Sequence, residues 1–143
     1  MFIANKGTSK KQLDELTYNI VGAAIEVHKE LGPGLLENIY QKCLAKEFSL
    51  RQIKFVEELR IPLAYKGLQL QSELRSDFVV EDIIVVELKV ADCLAPIHDA
   101  QLLTYMKLLK KPKGILINFN CSNIFKEGQK TLVNELYRLI PDA

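Results

Sequence analysis

Leu13, Leu16, Ile20, Ala23, Ala24, Val27 and Leu31 recur at three- and four-residue steps, which predicts an amphipathic helix over residues 11–31. Gly32-Pro33-Gly34 stops it, and Leu36, Ile39, Tyr40, Cys43, Leu44 and Phe48 start a second helical pattern over 35–50. From Phe55 the period falls to two. Phe55, Glu57, Leu59, Ile61, Leu63 and Tyr65 alternate with Val56, Glu58, Arg60, Pro62 and Ala64, and Lys66-Gly67 supplies a turn. Pro62 cannot donate to a ladder, so this strand belongs at an edge or carries a bulge. Residues 68–74 and 77–80 read as a second strand, bent near Arg75-Ser76, and Glu81-Asp82 turns the chain into a strand over 83–90. Helical spacing returns over 94–109 and ends at Pro112. Residues 114–119 form another buried strand, and Leu132, Val133, Leu136 and Leu139 predict a final amphipathic helix over 127–139. The expected architecture is one α/β domain over residues 1–143: a central mixed sheet of about four strands flanked by helices, with residues 1–10 flexible.

One strand breaks its own pattern. Ile83-Ile84-Val85-Val86 is β-branched and apolar throughout, as in a strand buried on both faces, yet it runs directly into Glu87-Leu88-Lys89. Glu87 and Lys89 share one face of the pleat. If the preceding turn centres on Asp82, Asp77 stands opposite Glu87 with its side chain on the same face. Like charges facing each other across a ladder are destabilising. A hard divalent cation reverses that sign, because Mg²⁺ prefers carboxylate and carbonyl oxygens plus waters. Lys89, pointing to the same place, can orient or deprotonate a water or stabilise charge on a phosphate. Such a set lowers the barrier to phosphodiester hydrolysis. A solvated strand end carrying an ordinary Glu–Lys pair is the competing reading.

Composition narrows the class without deciding it. Apolar content of 48% and charged content of 26% are those of a soluble globular protein. A net charge of +1 means that any nucleic-acid surface must gather its cations on one face. No apolar run reaches the roughly 18 residues of a membrane helix, and residues 1–11 hold no apolar signal segment. Cys43, Cys93 and Cys121 are widely spaced without a CxxC pair, which reads as reduced thiols in a cytoplasm rather than a zinc site. Lys107, Lys110, Lys111 and Lys113 are the densest basic run; a solvated helix end is the ordinary reading and phosphate contact the alternative. His28 and His98 have no sequence partner that would make either an acid–base group. Tyr40 suits core packing as well as a place near substrate.

The sequence Ser76-Asp77 through Glu87-Leu88-Lys89, on adjacent strands followed by a helix and a strand, resembles the PD-(D/E)XK nuclease superfamily. Gly34-Leu35-Leu36-Glu37-Asn38-Ile39-Tyr40 further resembles the pattern that names the GxxExxY protein family within it. Gly22-Ala23-Ala24-Ile25-Glu26-Val27-His28 and Ala100-Gln101-Leu102-Leu103-Thr104-Tyr105 are similar to that family as well. The resemblance implies a PD-(D/E)XK nuclease-like core and a Mg²⁺- or Mn²⁺-dependent nuclease, acting on DNA in preference to RNA, with RNA the other substrate left open. It makes Asp77 and Glu87 the metal-binding acids, the Leu88 backbone carbonyl a further ligand and Lys89 the catalytic lysine. It makes Glu37 an additional acid near the metal, and Gln101 and Tyr105, at i and i+4 on one helix face, a substrate-side pair. Ser76 stands where the motif has proline, a position that supplies no ligand. The alternative is a nuclease-like binding or accessory module with weak or no cleavage. Thin substrate grip on so small a chain of near-zero net charge favours that alternative, and a homodimer would double the basic surface.

Overall fold

The computed structural model describes residues 8–70 and 73–143. Of the segment expected to be flexible, residues 1–7 lie outside these; Ser9 and Lys10 form a helix start. Ser9 Oγ accepts from the Gln12 amide and the Gln12 side chain accepts from the Ser9 amide, a reciprocal cap that opens α1 (Lys10–Leu31). Leu13, Ile20, Ala23, Ala24 and Val27 turn its apolar stripe inward. Gly32 and Gly34, at φ 68° and 106°, reverse the chain into α2 (Glu37–Leu50), which buries Tyr40, Leu44 and Phe48 one turn apart. Tyr40 is fully buried and stacks on Phe119 at 4.3 Å between ring centroids, so it belongs to the core.

Among the described residues seven strands follow: β1 (Phe55–Arg60), β2 (Ala64–Tyr65), β3 (Leu68–Gln69), β4 (Arg75–Val80), β5 (Ile84–Lys89), β6 (Lys113–Asn118) and β7 (Gln129–Val133). Five make the central sheet in the order β1-β4-β5-β6-β7, with β5 and β6 parallel and the other pairs antiparallel. The helix α3 (Pro96–Leu109) makes the crossover that a parallel pair requires. β1 is an edge strand that ends before Pro62, in keeping with the missing donor. The expected long strand over 55–65 is broken there, and β2 and β3 form a separate ribbon across the Lys66-Gly67 turn. Both turn residues have positive φ, as do Glu81 and Asp82 between β4 and β5.

The predicted helix over 127–139 is absent. Its place is taken by the short α4 (Ile124–Glu127), strand β7 and a 3₁₀ turn over Glu135–Leu139. β6 is buried along its whole length and needs backbone partners on both sides. Residues 129–133 supply the second side, and this pairing overrides a helical spacing of apolar residues.

The sheet separates two apolar layers. Phe78, Val80, Ile84, Val86, Leu88, Ile115 and Ile117 face α1 and α2, whereas Val79, Val85 and Leu116 face Leu102, Tyr105 and Met106 of α3. Strand alternation therefore sends Asp77, Glu87 and Lys89 to the α3 side, at the end of β5.

Candidate active site

β4 and β5 pair as Val80 with Ile84, Val79 with Val85 and Phe78 with Val86. The next step along that register sets Asp77 against Glu87, and there the carboxylates enter the bonding. The Asp77 amide donates to Glu87 Oε2 at 2.8 Å, and the Leu88 amide donates to Asp77 Oδ2 at 2.8 Å. Each carboxylate is thus held by one oxygen on a backbone N–H, which leaves the second oxygen of each for another partner. Glu87 is 4% exposed. Burial, reinforced by the Asp77 charge, pushes its carboxyl up to about 8. Burial likewise raises Asp77, with Glu58 adding to the effect.

Lys89 Nζ donates to Gln101 Oε1 at 2.7 Å, and Gln101 Nε2 donates to the Tyr105 hydroxyl at 3.3 Å. The i, i+4 spacing on α3 thus becomes a chain of hydrogen bonds that ends on the lysine. Burial raises the Tyr105 phenol, and the charge of Glu87 raises it further. Lys89, Gln101 and Tyr105 also line a cleft of about 470 Å³ together with Leu74, Ile97 and His98.

Glu37 arrives from the other layer, in the first turn of α2. Burial raises its carboxyl, and the charges next in weight are Asp77, which raises it, and Lys89, which lowers it. It therefore shares the electrostatic field of the two acids from around the end of the sheet. It does not line the cleft against which Gln101 and Tyr105 lie.

Other candidates separate from this place. His28 Nε2 lies 2.9 Å from the Cys121 carbonyl, within the α1 layer. Lys113 is buried and paired with Asp14 at 3.1 Å, and Lys111 bonds Asp82 at 2.9 Å. In the parallel register Lys113 pairs with Ile84, whereas Lys89 pairs with Asn118. The basic run therefore sits at the opposite end of the strands from Glu87, where Lys111 and Lys113 serve the fold. The three cysteines are free thiols, with Cys93 exposed.

One residue near the site escaped the sequence reading. Glu58 stands in β1 across from Asp77 with φ 50°, and its charge raises the Asp77 carboxyl. Phe55 packs on the α1/α2 layer and Leu59 on the α3 layer, so the left-handed Glu58 between them reverses which face the strand presents. Nothing in a Glu-Glu pair on an edge strand signals this. His98, which the sequence left without an acid–base partner, lines the cleft from the third position of α3, after Pro96.

A family model for the PD-(D/E)XK nuclease superfamily matches residues 14–132. The chain belongs to this superfamily. No curated protein and no solved structure matches it. PD-(D/E)XK nucleases generally use divalent metal ions. Among the described residues, no group of three or more His, Cys, Asp or Glu side chains stands ready to hold a metal. Mg²⁺, however, is bound through one or two carboxylates, with waters and substrate phosphates completing its shell. Two facing carboxylates that burial drives toward protonation form a hard-oxygen set that such a cation would neutralise. The donors fit. Among the described residues no helix is long and apolar enough to cross a membrane.

Proposed function

We propose that this chain is a Mg²⁺- or Mn²⁺-dependent nuclease of the GxxExxY type that hydrolyses phosphodiester bonds, of DNA in preference to RNA. The observation that carries the reading is the pair of carboxylates held face to face at the end of β5, with Lys89 two residues on. In this reading Asp77, Glu87 and the Leu88 carbonyl would hold the metal, and Glu37 would add a further oxygen donor. A metal bound there supplies hydroxide near neutral pH and offsets transition-state charge. Lys89 orients the attacking water and carries positive charge toward the phosphate. Gln101 fixes the lysine's direction through its Oε1, and Tyr105 fixes Gln101 in turn. The nucleic acid lies along the α3 side of the sheet, and self-association extends its grip.

Calorimetric titration with Mn²⁺, paired with incubation against linear, circular, single-stranded and branched DNA and against RNA, tests this. Wild-type protein should bind Mn²⁺ and cleave, and Glu87→Gln should lose metal affinity and cleavage together. Equal Mn²⁺ binding by the two proteins, or none by either with nucleic acid present, sinks the nuclease mechanism. The accessory-module reading would then replace it.

A further inference from the structure

We propose that the cleft beside Lys89 receives one unpaired nucleotide, so that the protein acts on single strands or frayed ends rather than within an intact duplex. The proposal rests on the nuclease reading of Asp77, Glu87 and Lys89, because Lys89 is itself part of the cleft wall. At about 470 Å³ the cleft is of a size that takes small ligands.

Its wall is the first observation. Leu74, Ile97 and Ala100 present an apolar surface immediately beside a cluster of ionisable groups. Ile97 is 70% exposed, on the first turn of α3. A large aliphatic side chain left in water beside a charged site forfeits burial free energy, and the flat face of a base recovers it. An intact duplex offers its phosphates outward and keeps its base faces stacked. Gripping phosphates calls for several cations. Among the described residues the cleft has one ammonium, Lys89, and it is already held by Gln101.

His98 is the second observation. The Ala95 amide donates to His98 Nδ1 at 3.0 Å. A backbone amide can only donate, so Nδ1 is unprotonated and the neutral ring carries its proton on Nε2. The helix cap thereby fixes the tautomer and leaves one neutral donor on a residue that lines the cleft. Thr104, nearly two turns along, brings a hydroxyl to the same wall. Neutral donors and acceptors beside an apolar plate suit a base edge and a sugar oxygen.

Fluorescence anisotropy in EDTA, where nothing is cleaved, compares a labelled single-stranded DNA oligonucleotide with a blunt duplex of the same sequence. Two variants isolate the cleft. Ile97→Ser removes the apolar plate from an exposed position without adding charge. His98→Glu keeps an acceptor for the Ala95 amide, the ordinary role of that position in a capping box, and removes the Nε2 donor. Wild-type protein should bind the single strand about tenfold more tightly than the duplex, the scale of one stacked base. Both variants should lose most of that ratio while melting as the wild type does. If His98→Glu melts early, Ile97→Ser decides alone. Equal affinity of wild-type protein for the two DNAs, or unchanged single-strand affinity in Ile97→Ser, overturns the proposal. Failure of the nuclease reading is separate, since it appears in the Mn²⁺ titration of Glu87→Gln. A protein that binds no metal yet prefers single strands through Ile97 keeps this cleft and loses the catalytic assignment.

Discussion

The amide of Asp77 donates to the carboxylate of Glu87, and the carboxylate of Asp77 accepts from the next amide along, that of Leu88. Past Phe78 and Val86 the two strands are thus joined by side chain to backbone. Both donors are neutral, so they hold the two acids together without supplying the positive charge that ionising both would require. The electrostatic tension of the site is built into the hairpin itself.

That tension has a pH signature in metal-free protein. Glu87 is pushed up to about 8 in the fold from an ordinary value of 4.5. Between those values the unfolded chain has lost a proton that the folded chain retains. Raising the pH through this window therefore favours unfolding. Stability in EDTA should fall from about pH 5 to about pH 8, by on the order of a few kcal/mol. Glu87→Gln should flatten the dependence and melt higher than wild type at the alkaline end. Melting temperatures of the two proteins across that range check this, and parallel slopes would remove Glu87 as the cause.

Metal binding near neutrality should release protons from the same pair. Titrating Mn²⁺ in buffers of different ionisation enthalpy should give heats that differ with the buffer in wild-type protein. The difference should shrink in Glu87→Gln. Heats independent of buffer would mean that the acids are already ionised.

Lys89 separates chemistry from binding. Its ammonium is bonded to Gln101, so Lys89→Ala should leave Mn²⁺ affinity nearly unchanged while turnover falls by roughly 10²–10⁴-fold, the range of a lost proton-transfer group. Gln101→Ala should cost less, since it only frees the lysine's direction. Single-turnover rates at saturating metal distinguish the two, and a Lys89→Ala protein that cleaves normally would end its role.

Ser76 is fully buried, and its hydroxyl is without a hydrogen-bond partner among the described residues. A buried unpaired hydroxyl is unfavourable, so Ser76→Ala should stabilise the protein by about 1 kcal/mol. Urea denaturation measures this. A destabilised Ser76→Ala would mean that the hydroxyl finds a partner in solution.

Gly114 lies where α3 crosses β6. A Cβ there would stand 2.7 Å from Met106 Sδ and 2.8 Å from Leu102 Cδ1. Gly114→Ala should push α3 outward and cost about 1–3 kcal/mol. It should also reduce cleavage, because α3 carries Gln101 and Tyr105. An unchanged melting temperature would show that the two flexible side chains absorb the methyl group.

The sequence by itself determined the parts that depend on neighbours along the chain. The 3.6-residue period marked α1, α2 and α3, and an apolar run with a Glu-Leu-Lys tail marked β5. The register of a tight turn is local arithmetic, so a hairpin centred on Asp82 already placed Asp77 across from Glu87. Only the tertiary structure decided what depends on partners distant in sequence. Residues 129–133 became a strand because the open edge of β6 needed hydrogen bonds, which outweighs a helical spacing of leucines. Lys113 left the basic run for burial beside Asp14, a residue 99 positions away. Glu37 came within reach of Asp77 only when two helices packed on the far face of the sheet and turned at Gly32 and Gly34. Glu58 took a left-handed backbone for a reason that lies in its strand's switch from one layer to the other. Period and hairpin register are short-range properties that a chain carries in its own order. Edge pairing, buried charge and backbone strain are imposed by whatever packs against it.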